Sequence, residues 1–239
     1  MSGKNGGAVV AGSGEWVAAM PRVLPFAALV AGIAALELAG LSGLIDVSPN
    51  AGTLAYPFRA ALATLALWFC LPLCPEFSLR ELLRWKDSLF SLLIGLLVFF
   101  LWIHMDVPWA RMGSPAPFMP EAAPEGVWRT ALLAVRFSGA ALLVPLAEEL
   151  FWRSFLIRVL EKRDFLSVSL GRIHWPSFAI TAVLFALEHH QLAAGFMAGV
   201  LYNLTLYRTK SLAQCVLAHA VTNASLGVWV LATGAWQFW

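Results

Sequence analysis

Residues 140–153 read Ala140-Ala141-Leu142-Leu143-Val144-Pro145-Leu146-Ala147-Glu148-Glu149-Leu150-Phe151-Trp152-Arg153. The run is apolar enough for a membrane helix, yet it carries two adjacent glutamates and an arginine one turn later. A carboxylate at mid-bilayer costs about 2.5 kcal/mol or more even on insertion scales. Two side by side require partners or a purpose. Helical geometry separates them. Glu149 and Arg153 are i,i+4 and share a face, whereas Glu148 is rotated by about 100°. One glutamate can be held by arginine while the other faces a cavity. Pro145 removes a backbone donor and frees the carbonyl of Ala141, so a kink or local opening is expected just before the pair.

The surrounding chain has the same character. Of 239 residues, 60% are apolar and only 13% charged, and the mean hydropathy is +0.75. A soluble domain is nearer a quarter charged. Apolar stretches fall at about 23–45, 56–74, 88–105, 130–158, 175–190, 192–207 and 211–235. Those near 20 residues can span a hydrocarbon core of about 30 Å; the fifth and sixth are shorter and can be re-entrant. Because the runs are continuous rather than alternating, a membrane β-barrel fits poorly. The expected fold is all-α, a polytopic transmembrane helical bundle of about seven spans. It forms one integral domain over 21–239, with its core at about 130–235, after a flexible segment 1–20 that lacks the features of a signal peptide.

Charge orients the bundle. With the N-terminus inside, the inner loops hold Lys4, Arg22, Arg80, Arg84, Lys86, Arg158, Lys162, Arg163, Arg172, Arg208 and Lys210. The outer side holds Arg59, Arg111 and Arg129. Eleven against three is a positive-inside bias that selects N-in and C-out, with Trp229, Trp236, Phe238 and Trp239 in an outer aromatic belt. Residues 76–88 read as an amphipathic helix at the inner face or as a basic loop. The Pro-rich stretch 106–126 reads as a long outer loop. Gly195 and Gly199 form a small-xxx-small face for close helix contact. Cys70, Cys74 and Cys215 read as packing residues, and Glu37 and Arg136 as a structural ion pair.

Three further polar groups lie in apolar stretches: His189, four residues after Phe185, and His219 with Asn223 at i,i+4. Counted at about 1.5 Å per residue from the nearest basic loop, Glu148, His219, Asn223 and His189 fall roughly 14–22 Å deep. Groups from three non-adjacent spans share one layer, which argues for a wet cavity opening inward. Such a set suits hydrolysis. A desolvated glutamate can act as general base toward water, a histidine can share that water or shuttle its proton, and a histidine with an amide can donate to an oxyanion. His190 competes with His189 by position, Glu188 reads as a rim residue, and Asn203 as an interhelical hydrogen bond.

Glu148-Glu149-x-x-x-Arg153, Phe185-x-x-x-His189 and His219-x-x-x-Asn223 resemble, in order and spacing, the three motifs of the CAAX-protease and bacteriocin-processing family of glutamic intramembrane endopeptidases. Gly195, Gly199, Tyr202, Ser211 and Leu212 agree as well. The resemblance covers residues 140–225. It implies that Glu148, helped by His189, activates water, that His219 and Asn223 stabilise the oxyanion, and that Glu149 and Arg153 support them. No metal, cofactor or acyl-enzyme is implied. Leu24-Pro25-Phe26, Tyr56-Pro57 and Leu101-Trp102-Ile103 resemble the bacterial branch associated with exosortase sorting systems. That points to the bacterial inner membrane, to a peptide or membrane-protein substrate in contact with the lipid bilayer, and to exosortase-type components as partners; nucleic acid is not expected. Two rivals remain. One is a zinc protease using Glu148, His189 and His219, although HExxH is absent. The other is a non-enzymatic scaffold, immunity protein or proton-coupled transporter.

Overall fold

A computed structural model describes residues 13–42, 50–113 and 117–239. Among the described residues there are seven long helices: α1 (Ser13–Leu41), α2 (Ala51–Cys70), α3 (Trp85–His104), α4 (Val127–Val159), α5 (Trp175–Leu187), α6 (Leu192–Thr209) and α7 (Leu212–Thr233). The all-α expectation holds, and the described residues contain no strand, only one isolated bridge between Arg111 and Gln191. Among the described residues, four stretches are long and apolar enough to cross a bilayer: Ala51–Leu73, Trp85–His104, Val127–Val159 and Leu212–Thr233. Helix α5 is shorter, at 13 residues, or about 20 Å of rise. One expectation changes and one open reading is decided. Helix α1 begins at Ser13, well inside the segment expected to be flexible. Residues 76–88 do not form one amphipathic helix, because a short 3-10 turn at Leu79–Leu83 leads directly into α3 at Trp85.

The helices pack in pairs, α1 along α2, α3 along α7 and α5 along α6, with α4 touching both α1 and α7. Small residues permit the closest approaches. A Cβ on Gly199 would meet Ala182 Cα at 3.1 Å, and one on Gly195 would meet Ala186 Cα at 3.1 Å. The small-residue face of α6 therefore lies flat on α5. Gly95 plays the same part between α3 and α7, where Thr222 Oγ1 donates to its carbonyl at 2.9 Å. The α6–α7 turn is two residues long. Lys210 takes the left-handed conformation (φ 55°), and Ser211 caps α7 by accepting from the Gln214 amide.

Helix α4 is not uniform. Its backbone opens into π-helical turns at Gly139–Leu143 and Leu150–Leu156, which flank the glutamate pair. The Val144 amide bonds to the Gly139 carbonyl, five residues back. In that register the next amide, at position 145, would serve Ala140, but proline has none. The orphaned carbonyl is thus Ala140 rather than the expected Ala141. Asn223 fills the gap, its Nδ2 donating to Ala140 O at 2.9 Å. A π turn widens the helix and commonly marks a functional site.

At the opposite end of α4 lies a cluster that sequence reading missed. Glu76 accepts from Arg22 Nε (2.6 Å) and Nη2 (2.7 Å), from Arg158 Nη2 (3.1 Å) and from the Ser154 hydroxyl. Both arginines are buried. Burial opposes ionisation of Glu76, but the bonds from Arg22 and Ser154 prevail and hold its carboxyl below the usual range. A depressed folded-state pKa stabilises the protein above the ordinary value of about 4.3, and that contribution is lost as pH falls through the depressed value. Glu76→Gln should lower the thermal midpoint at pH 7, since breaking a buried pair costs about 3–5 kcal/mol. The gap between variant and wild type should close on acidification below about pH 4; melting curves across that range check it. Nearby Cys74 is buried and free, and burial pushes its thiol up to about 11, so it packs as an inert residue.

Candidate active site

Glu149 is fully buried and points away from solvent into the bundle. Arg153 Nη1 donates to its Oε1 at 3.0 Å, as the i,i+4 spacing predicts. Arg153 is further held by Asn203 Oδ1 (3.2 Å), the Gly199 carbonyl (3.4 Å) and the faces of Phe185 and Tyr202. Asn203 in turn donates to Phe178 O at 3.1 Å, which makes it the interhelical bond expected of it. The link that sequence reading missed is to α7: His219 Nδ1 lies 2.9 Å from the same Glu149 Oε1. A carboxylate accepts only, so Nδ1 carries the proton. The ring stacks on Tyr202 at 4.8 Å, and Tyr202 donates to Thr222 at 2.9 Å. Glu149 therefore joins α4 to α7 and fixes the pose of His219.

Glu148 faces the other way. Its Oε2 is buried, has no hydrogen-bond partner among the described residues, and lies 4.0 Å from His219 Nε2. That separation is too long for a direct hydrogen bond.

His189 is reached differently from the way the sequence implies. Helix α5 stops at Leu187, so His189 sits in the turn before α6 rather than on a helical span. Its Nδ1 lies 2.7 Å from Phe185 O. The last carbonyls of a helix lack intrahelical donors, and the imidazole caps one of them. This bond places the proton on Nδ1 and leaves Nε2 to accept. Trp102 packs edge-on against the ring at 5.2 Å. His190 turns outward instead, its Nδ1 paired with Met112 O at 2.8 Å while Met112 N donates to His190 O at 2.7 Å. The choice between the two histidines is therefore made by the turn. Glu188 accepts from Trp152 Nε1 at 3.1 Å.

Glu148, His189, His219 and Asn223 all line one cavity of about 190 Å³. Its walls include Trp102, Phe185, Tyr202 and Thr222. The cavity does not run toward the basic loops as expected. It extends past Ala140 and Leu226 to Arg136, Phe238 and Trp239, toward the end where α3 and α7 finish and α4 begins. Leu67, Cys74, Leu150 and Leu212 pack into an apolar cluster away from this cavity, and none of them lines it. Arg136 is thus part of this cavity; the side chain of Glu37, its expected partner, lies outside the described residues. Among the described residues no three His, Cys, Asp or Glu side chains gather closely enough to hold a metal ion, so the zinc arrangement has no donor set poised for it.

No curated protein and no solved structure matches the chain. Residues 128–225, the stretch that holds Glu148, His189, His219 and Asn223, are similar to the family model described as Type II CAAX prenyl endopeptidase Rce1-like.

Proposed function

We propose that the protein is a glutamic intramembrane endopeptidase in which Glu148 and His189 activate water, and His219 and Asn223 receive the oxyanion. The observation that carries this reading is the convergence of these four side chains on one cavity, with Glu149 turned away to Arg153. A buried carboxylate without a partner, facing two imidazoles whose Nδ1 positions are already engaged, is arranged to hold water. Water attacks the carbonyl carbon of a peptide bond, and Glu148 takes the proton. His189 Nε2 accepts from the same water and orients it. Charge on the carbonyl oxygen is met by the second N–H of Asn223 and by His219 Nε2 once that ring carries a second proton, with Glu149 as counter-charge behind it. Collapse breaks the C–N bond, and the proton held by Glu148 passes to the leaving nitrogen.

Asn223 has two tasks, since one N–H already serves Ala140 O. Asn223→Ala should lower kcat about 10²–10³-fold, the usual loss for an oxyanion donor, and should also destabilise α4 by leaving that carbonyl unpaired. Single-turnover cleavage and thermal melting read the two effects separately. The bacterial branch with exosortase-type partners, the inner-membrane location and the N-in orientation belong to the same proposal. They are supported by the N-terminal motifs and by the charge bias of the loops. In that orientation the Arg136 end of the cavity faces the non-cytoplasmic side. The deciding experiment is cleavage of a membrane peptide by purified protein: loss with both Glu148→Gln and His189→Ala supports the reading, and full activity in either sinks it.

A further inference from the structure

We infer that Glu188 is a positioning residue: the hydrogen bond it accepts from Trp152 fastens the turn that carries His189 to the helix that carries Glu148. The inference rests on the endopeptidase reading, in which those two side chains share a water. Trp152 stands four residues after Glu148 on α4, which returns to nearly the same side of the helix. Glu188 directly precedes His189. Trp152 Nε1 donates to Glu188 Oε2 at 3.1 Å. One hydrogen bond therefore joins the neighbours of both catalytic groups and sets how far apart they stand.

Other contacts orient His189 within the α5–α6 hairpin. Its Nδ1 is held by Phe185 O, and a Cβ on Gly195 would meet His189 Cβ at 3.1 Å, so the side chain rests on the start of α6. His190 and Met112 pin the turn on its outer side. Arg153 ties α4 to Asn203 and Gly199, along α6. Among the described residues, Trp152 makes the hydrogen bond by which α4 reaches the turn itself. Its indole is buried and packs edge-on against Phe26, Phe151 and Phe185, with ring centroids at 6.0, 4.9 and 5.6 Å. The donor is therefore held rigidly. Glu188 does not line the cavity. It is exposed and follows Val183, Leu184 and Leu187, which are exposed as well. A carboxylate on an apolar surface at membrane depth is costly, and an apolar side chain would suit that surface better unless the acceptor is needed. Its charge is also near enough to be felt at Glu148, so a direct acid–base role is the rival that the test must separate.

The test compares acceptors at position 188 in the full chain in detergent. On a quenched fluorescent peptide, Glu188→Ala should lower kcat about 10–100-fold with KM nearly unchanged, since misplacing a reacting group by about 1 Å costs that much. Glu188→Gln keeps an acceptor and should recover most of the loss. Trp152→Phe should copy Glu188→Ala, and the two together should be no worse than either alone. If the Gln variant is as slow as the Ala variant, the charge or proton of Glu188 is what matters, and positioning is overturned. Wild-type kcat in Glu188→Ala, or losses that multiply in the double variant, overturn it too. A second readout needs no turnover. In histidine-labelled protein carrying Glu148→Gln, nitrogen NMR of the five histidines reports which ring nitrogen holds the proton, and His189→Ala assigns the His189 signals. Glu188→Ala should move those signals and leave the His219 signals in place, and Glu188→Gln should leave both. His189 signals that stay fixed in Glu188→Ala, or that move together with those of His219, overturn the tie. If wild type cleaves no peptide while the His189 signals still follow the acceptor at 188, the peptidase reading fails and the tie stands.

Discussion

Glu148→Gln should all but abolish peptide cleavage, with kcat falling about 10²–10⁴-fold, while the protein melts no lower than wild type. The first half follows from the role of Glu148 as the base that takes water's proton, a contribution of about 10²–10⁴-fold. The amide cannot accept that proton and cannot return it to the leaving nitrogen. The second half follows from the geometry. Glu148 Oε2 is buried and makes no hydrogen bond among the described residues. Its replacement therefore breaks nothing and removes an ionisable group from a desolvated site. Function and stability should part company here, as they do where a site is kept strained for activity. Steady-state cleavage alongside a melting curve reads both. Cleavage at wild-type rate would remove Glu148 from the chemistry.

Glu149→Gln should show the opposite pattern, with a thermal midpoint far below wild type. Glu149 sits fully buried between Arg153 at 3.0 Å and His219 at 2.9 Å. Removing one member of a buried pair leaves the other charge uncompensated, at about 3–5 kcal/mol. Arg153 would keep Asn203 and the Gly199 carbonyl but lose the one carboxylate that pairs with it directly among the described residues. Replacing both partners with residues of similar volume is often close to neutral. The double variant Glu149→Gln/Arg153→Met should therefore recover most of the lost stability. Its activity should stay low, because His219 loses the charge that fixes its ring. Melting of the single and double variants forms a cycle that measures the coupling. If Glu149→Gln melts like wild type, the pair is not the tie between α4 and α7.

The two glutamates differ by one position, and their different pairing is legible in the sequence. A 100° step separates any adjacent pair on a helix, and only Glu149 has an arginine at i+4. The motif spacing likewise brought Glu148, His189, His219 and Asn223 forward as a set. What spacing could not supply was the π register. The carbonyl left bare by Pro145 moved from Ala141 to Ala140 because the helix widened there, and Asn223 is the residue that answers it. Arg136 reads from the sequence as a cation inside a span, with Glu37 as its expected partner. Its four-residue recurrence with Ala140, Val144 and Glu148 was the available signal for the cavity, and it has meaning only once α7 is placed opposite.

By itself the sequence determined an all-α membrane bundle and the carboxylate left free, because composition, helical period and i,i+4 pairing are local properties of the chain. Tertiary structure alone showed how the turn aims His189, already singled out by motif spacing, into the cavity, that Glu149 holds His219, and that the cavity runs toward Arg136. Each of these depends on contacts between segments far apart in sequence: a turn pinned by Met112, a carboxylate shared by α4 and α7, and the placing of α7 and the C-terminal Phe238 and Trp239 opposite Arg136. Side-chain direction at a turn, and the face one helix shows another, are set by packing that no local pattern encodes.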